Sequence, residues 1–331
     1  MSKAAYRFVL RPGRSSDIAA VAALWNRHAV SRGQPDGYSA KDVEHRWSTP
    51  GFTAETDTTL AWVGADLVGY AQLRDVKEPH VDLFVGLTID PDLEDADPLS
   101  DVLFAWIDER GRASLPRAPE DARVVLVAGA GGDDIRLQDL LVRHGFQLDR
   151  VFSRLRLDFE ARPPAAAWPD GIAVRTFRPG QDDVDLVRGY RDAFQDHYGY
   201  LEQPLEVEVE RWRHWIREPD FSADLWLLAL DGTEVCGFCC SYAESHGDGE
   251  CGLVDEFGVR PKWRRRGIGR ALLLESFGAI YDCGRKAVEL TVDSRSASDA
   301  LGVYASVGMR PVDRNHTYVK ELRAGRNLVV S

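Results

Sequence analysis

The chain carries one pattern twice over its 331 residues, and any fold proposed for it must be one that can be built in duplicate. Phe8–Asn26 and Ile172–Ala193 each read as a short strand, a polar turn and a helix. The helices rest on apolar spacing: Ile18, Val21, Ala22 and Trp25 in the first, Val184, Val187 and Tyr190 in the second. Leu60–Leu73 and Leu227–Tyr242 read as matching hairpins, turning at Ala65–Asp66 and Asp231–Gly232. Val85–Gly111 aligns without a gap beneath Asp255–Tyr281, with Pro91 under Pro261. Arg123–Val127 and Ala287–Val292 are β-rich. Each leads to a helix, a glycine (Gly145, Gly308) and a further strand.

Each half therefore predicts strand, one or two helices, three strands, helix, strand, helix, strand. That is an α/β arrangement of a mixed sheet with helices packed on it. The expected boundaries are 5–159 and 171–323. Residues 160–170, rich in Pro and Ala, form a semi-stiff linker between them.

Composition narrows the function. The net charge is −12, and the halves, cut at residue 160, carry −7 and −5. Neither half has the basic surface that nucleic-acid backbones require. An acidic surface suits cationic partners such as amines, as well as plain solubility. No apolar run reaches the ~18–20 residues of a membrane span, and Met1–Leu10 lacks the features of a signal peptide. The expectation is a cytoplasmic protein, monomeric or homodimeric, with no membrane or nucleic-acid partner. The five cysteines all lie in the second half. Cys236 and Cys239 are spaced C-x-x-C within an apolar strand and read as buried free thiols, with no metal expected.

The most informative stretch runs from Arg264 through Arg265, Arg266, Gly267, Ile268 and Gly269 to Arg270. It follows a predicted strand, Gly252–Val259, and opens a predicted helix, Ala271–Tyr281. Amides at a helix start have no internal partner, and the helix dipole adds positive charge there. Such a turn is ready for a diphosphate. Gly267 and Gly269 would let oxygens approach the main chain, and the arginines add charge. The spacing is neither a P-loop nor a dinucleotide fingerprint.

The order strand, R-x-x-G-x-G, helix, strand, then Tyr304 to Met309, resembles the GCN5-related N-acetyltransferase (GNAT) superfamily. The resemblance is specific across residues 171–320 and collinear across 5–158. It implies two tandem GNAT folds, each a mixed, mostly antiparallel sheet flanked by helices, and it implies acetyl-CoA as co-substrate. By resemblance, the main chain of Phe257, Gly258 and Val259 would pair with the pantetheine arm. Amides from Arg265 to Arg270 would hold the diphosphate, with Ser296 also on the cofactor. The fourth and fifth strands of the sheet would splay apart to admit it.

Acetyl transfer to an amine requires a group to take a proton and a donor for the departing thiolate. The resemblance gives the second role to Tyr304, four residues before Gly308, and an aromatic packed on the sheet is the other reading. A carboxylate in an apolar strand needs a reason. Asp255 is preferred as base or amine-binding group, with Glu256 next, and an ion pair to a nearby arginine is the alternative. Asp196, His197 and Tyr198, in the segment Phe194–Pro204, are expected on the acceptor side. Trp212, Trp215 and Trp226 read as core or pocket walls.

The first copy has lost these features. Under Arg264, Gly267 and Gly269 lie Glu94, Asp97 and Leu99; under Arg265 lies Asp95; under Tyr304 lies Leu141. Carboxylates repel phosphates, and Asp97–Pro98 reads as an N-cap and first helical residue. The first copy is expected to fold like the second, bind no acyl-CoA in the standard way, and shape one wall of an acceptor cleft. The expected activity is direct acetyl transfer in a ternary complex to the primary amine of a small molecule. A non-enzymatic acyl-CoA sensor and an aminoglycoside-type enzyme are alternatives. The tandem form also resembles the mycothiol synthases, which acetylate a cysteinyl amine. Their glutamate, eleven residues before the motif, falls on Leu253.

Overall fold

A computed structural model describes residues 8–33, 37–94, 96–217, 220–245, 248–294 and 300–329. The first repeat runs β1 (Val9–Arg11), α1 (Ile18–Ser31), α2 (Ala40–Trp47), α3 (Ala54–Asp57), β2 (Thr58–Val63), β3 (Asp66–Arg74), β4 (Asp82–Ile89), α4 (Asp97–Ser114), β5 (Val124–Gly131), α5 (Ile135–Arg143) and β6 (Gln147–Asp158). The second runs β7 (Ile172–Thr176), α6 (Asp183–Phe194), α7 (Leu205–Trp215), β8 (Trp226–Asp231), β9 (Glu234–Tyr242), β10 (Cys251–Val259), α8 (Ile268–Asp282), β11 (Ala287–Asp293), α9 (Ala300–Ser306) and β12 (Arg310–Arg323). Apart from the one-turn helix α3, this is the predicted order.

The duplication extends to detail. Both hairpins close on two-residue turns, through Gly64 and Gly232, one residue earlier and one later than expected. Both carry a bulge, at Ala61/Trp62 and at Ala229/Leu230. Each copy also ties its first strand to its first helix by a forked ion pair. Arg11 meets Asp17 at 2.6 and 2.7 Å, and Arg175 meets Asp182 at 2.5 and 2.8 Å. The Asp17 and Asp182 carboxylates are buried, and bidentate pairing is what makes that tolerable.

The compact units are not the sequence halves. Of the described residues, one comprises those within 8–151 and 315–328, the other those within 152–314 and Val329. The last strand of each repeat crosses over. In the first unit β12 pairs antiparallel with β5, from Asn315–Gly131 to Arg323–Val124. In the second β6 pairs antiparallel with β11, from Phe152–Asp293 to Asp158–Ala287. The strand orders are thus β1-β2-β3-β4-β5-β12 and β7-β8-β9-β10-β11-β6. All neighbours are antiparallel except β4 with β5 and β10 with β11. The mixed, mostly antiparallel sheet is as expected, and the exchange of strands was not.

In the second unit the sheet is buried on both faces. Leu227, Ala229, Cys236 and Cys239 pack with Leu272, Leu273, Phe277 and Ile280 of α8. Leu228, Val235, Phe238 and Cys240 pack with Leu186, Val187 and Trp212 of α6 and α7. The alternation along β8 is the period of two that a strand imposes. Cys236 and Cys239 are buried free thiols. Among the described residues no helix is long and apolar enough to cross a membrane.

Candidate active site

In the second unit β10 and β11 pair in parallel only from Cys251–Ala287 to Leu253–Glu289. Among the described residues no pair lies beyond, although β10 continues to Val259, held on its other side by β9. The strands part where the resemblance requires it. The unpaired stretch includes Phe257, Gly258 and Val259, whose main-chain groups are the ones expected to meet an extended, amide-bearing arm.

A bulge sits at the mouth of this opening. Val254 faces Ser241 and Glu256 faces Cys240, so Asp255 is an extra residue on the bulged strand. Such bulges re-aim side chains. Asp255 is exposed and Glu256 half-buried. Burial, and then the Asp255 carboxylate, push the Glu256 carboxyl up to about 8, against an opposing pull from Arg211. Sequence reasoning preferred Asp255. Glu256, the second candidate, has the raised carboxyl described above, and the inserted residue beside it is not visible in strand alternation.

The turn after β10 has an anion-ready backbone. Arg265 and Gly267 take left-handed φ values of 62° and 85°, and Gly267 is the N-cap of α8. Left-handed residues beside a helix start form concavities lined by amides. The Ala271 amide donates to Gly267 O, which puts the preceding amides in the first turn without a helical acceptor. The helix begins three residues earlier than the predicted Ala271, and this separates the two glycines. A Cβ on Gly267 would meet nothing within 4 Å, so this position is open. A Cβ on Gly269 would lie 3.3 Å from Phe257 Cζ. Gly269 therefore also serves helix–strand packing.

The arginines divide likewise. Arg264, expected on phosphate, is bonded within the protein. Its guanidinium donates to Val259 O (3.1 Å), Ala193 O (2.9 Å) and Asp196 Oδ2 (3.0 Å), pinning the end of β10 to the end of α6. Asp196 is accordingly the counter-ion of Arg264, whose hydrogen bond holds its carboxyl low. Arg266 lies 3.9 Å from Asp231. The expectation for Ser296 falls outside the described residues.

Tyr304 on α9 is 7% exposed, and its ring centre lies 6.0 Å from that of Phe257. Burial raises its phenol above the ordinary value, so it holds its proton at neutral pH. His197 is half-buried against Phe194, with ring centres 4.4 Å apart. Burial lowers its pKa, so it is neutral near pH 7. Tyr198 meets Phe152 at 6.2 Å. Two residues that the sequence did not single out as functional stand close to Glu256 electrostatically: Tyr190 and Arg211. Tyr190 had been read only as an apolar helix position. Trp212 and Trp226 are fully buried core residues. Among the described residues no group of three or more His, Cys, Asp or Glu could hold a metal ion.

In the first unit the corresponding turn is crossed by Arg136, which donates to Pro91 O and Leu93 O at 3.1 Å each. Ala96, not Asp97, is the N-cap of α4, and Asp97 is the first helical residue, 2.6 Å from Arg143. Leu141, in place of Tyr304, is fully buried.

Comparison with known proteins agrees with this geometry. Residues 186–309 match the acetyltransferase (GNAT) family. The mycothiol acetyltransferase of Thermomonospora curvata is 36% identical over 200 residues, covering 60% of this chain and 64%, slightly under two thirds, of that one. That of Catenulispora acidiphila is 33% identical over 235 residues, covering 62% of this chain and 72% of that one. A crystal structure of a GCN5-related N-acetyltransferase from Sphaerobacter thermophilus superposes with a TM-score of 0.82 at 28% identity, covering 97% of both chains. The chain belongs to the GNAT N-acetyltransferase family, in a tandem form similar to the mycothiol acetyltransferases.

Proposed function

We propose that the second unit binds acetyl-CoA and transfers its acetyl group directly to the primary amine of a small molecule in the cytoplasm, while the first unit has no part in the transfer. The family uses acetyl-CoA, and the residues present fit it: an open left-handed Gly267 before a helix start and a strand whose partner ladder stops at Leu253. The amides from Gly267 to Arg270 would hold the diphosphate, and the main chain of Phe257–Val259 the pantetheine arm. When bound, acetyl-CoA supplies the activated acetyl thioester.

Glu256 takes the proton that an ammonium group must lose before it can attack. A carboxyl titrating near 8 is suited to that transfer near neutral pH. Asp255 keeps that carboxyl's pKa high and adds negative charge that favours a cationic acceptor. Tyr304 keeps its proton and offers it to the departing sulfur. His197 and Tyr198 line the acceptor side. The names of the curated relatives point to an acceptor of the mycothiol series, with a cysteinyl amine. Leu253 stands where the mycothiol synthases carry their glutamate, so in this chain the proton-accepting role passes to Glu256.

The observation that carries the reading is the half-buried Glu256 at the mouth of the β10–β11 opening. The test offers acetyl-CoA with a panel of cysteinyl amines, aminosugars, aminoglycosides and polyamines, and follows CoA release. Turnover is expected with a member of the panel. Tyr304→Phe should slow it by roughly 10²–10⁴-fold, the range for a positioned acid, with CoA affinity kept. Tight CoA binding with no turnover on any amine sinks the reading and leaves a sensor.

A further inference from the structure

We propose that the first unit holds a binding site of its own for a small organic carboxylate, formed by Arg46 and Gln72 beside the aromatic corner of Trp25, Tyr38 and Tyr70, with Arg74 next to Gln72 on the same face of β3 but outside the cavity lining. The site lies apart from the acetyl-transfer chemistry and does not rest on it. A cavity of about 280 Å³ opens between α1, α2 and the parting strands β4 and β5. The β4–β5 ladder ends at Val85–Ala128, the same parting seen in the second unit. Catalysis is absent here. By the gap-free alignment Gly86 and Val85 replace Glu256 and Asp255.

The replacement makes room for something else. A Cβ on Gly86 would lie 2.7 Å from Gln72 Cγ, so the glycine lets the Gln72 amide occupy the place of the lost carboxylate. Tyr70 Oη donates to Gln72 Oε1 at 2.7 Å and accepts from Trp47 Nε1 at 3.1 Å. With its oxygen engaged, the amide is left with its N–H₂ donors. A proton acceptor has been exchanged for a hydrogen-bond donor beside a cavity.

The charges complete the argument. Arg46 lines the cavity and lies 5.2 Å over the Trp25 ring. Arg74 follows Tyr70 and Gln72 at the spacing that puts all three on one face of β3. Among the described residues neither guanidinium makes an ion pair or donates a hydrogen bond. Other arginines of this unit are paired: Arg11 with Asp17, Arg27 with Asp90, Arg110 with Asp57 and Arg117 with Asp75. The carboxylates close by are engaged: Asp134, which lines the cavity, pairs with His28 at 3.2 Å and Arg32 at 3.7 Å, and Asp42 on α2 accepts from the Ser39 amide and hydroxyl, both at 2.6 Å. Arg74 Nε is buried without a partner. Burial and the neighbouring Arg46 both oppose the charge on Arg74. Two like charges converging on one face are stabilised by an anion between them, and guanidinium forks match a planar carboxylate.

The ligand is compact. About 280 Å³ lies just under the ~300–1,000 Å³ of small-molecule sites. The route a diphosphate would take is shut, because Arg136 bonds to Pro91 O and Leu93 O at 3.1 Å each across the turn after β4. Trp25 and Tyr38, with ring centres 5.5 Å apart and edge to face, offer an apolar corner. The ligand class is therefore a carboxylate on a small apolar body.

The test is calorimetry on the full chain saturated with CoA, titrated with phenylacetate, indole-3-acetate and succinate. Neutral 2-phenylethanol and inorganic phosphate serve as controls. One carboxylate should bind with one-to-one stoichiometry, and the controls should not. Arg46→Gln, on an exposed helix face, should weaken it at least tenfold with unchanged CoA binding. Arg74→Gln provides a second, independent reading. The proposal is overturned if no carboxylate binds at millimolar concentration, if both variants bind as the parent does, if phosphate binds instead, or if binding occurs only when CoA is omitted.

Discussion

In the proposed transfer Glu256 is the residue on which most of the chemistry turns, and its titration makes two separable claims. As proton acceptor it works only when ionised. Activity should therefore rise with pH through about 8, the value to which burial and Asp255 push it. Glu256→Gln should lower kcat/KM by roughly 10²–10⁴-fold and remove that rising limb. The stability claim has the opposite sense. The native carboxyl binds a proton up to about 8, whereas the unfolded one loses it near 4.5. Between those values the native state holds more protons, so stability falls as pH rises. The half-exposed setting limits the effect to about 1–3 kcal/mol. Glu256→Gln should hence raise Tm at pH 8.5 relative to the parent and leave it nearly unchanged at pH 4. Equal Tm shifts at both pH values would show that Glu256 is not buried as an acid.

At the scale of elements, strand β10, its turn and helix α8 form the working unit, and the two glycines divide its labour. Gly267→Ala places a side chain at φ 85°, a conformation that costs an L-residue about 1–2 kcal/mol. It also puts a methyl into the open position proposed for the diphosphate. Gly269→Ala instead presses on Phe257 Cζ from 3.3 Å, a contact relieved by a small ring shift. Gly267→Ala should therefore lose more CoA affinity in calorimetry, and more stability in denaturant, than Gly269→Ala. The reverse order would mean that the diphosphate is held elsewhere. This unit was legible in sequence because its signals are local: a β-rich run, a glycine pair, an apolar helix. Arg264 was not, since its partner Ala193 O lies 71 residues away. Nor was the bulge at Asp255, which depends on register against β9.

For the whole molecule, the repeat was legible and the exchange of strands was not. Local sequence specifies a strand but not its neighbour, and β6 and β12 suit either copy's β-ladder by pattern alone. The exchange has a consequence for chain cutting. Residues 160–170 contain neither helix nor strand, so a protease site inserted there should nick the folded chain. In two independent lobes the fragments would separate. Here the N-terminal fragment carries the β6 residues that pair with β11, and the C-terminal fragment the β12 residues that pair with β5. Each compact unit would contain chain from both pieces. The nicked protein should elute from gel filtration at the parent's volume and part only in denaturant. Residues 1–159 made alone would leave the β5 edge bare, and an uncovered edge templates aggregation. That fragment should be insoluble unless the 310–331 segment is supplied in trans. Clean separation of native fragments after nicking, or a soluble, cooperatively folding 1–159, would show that each repeat keeps its own last strand.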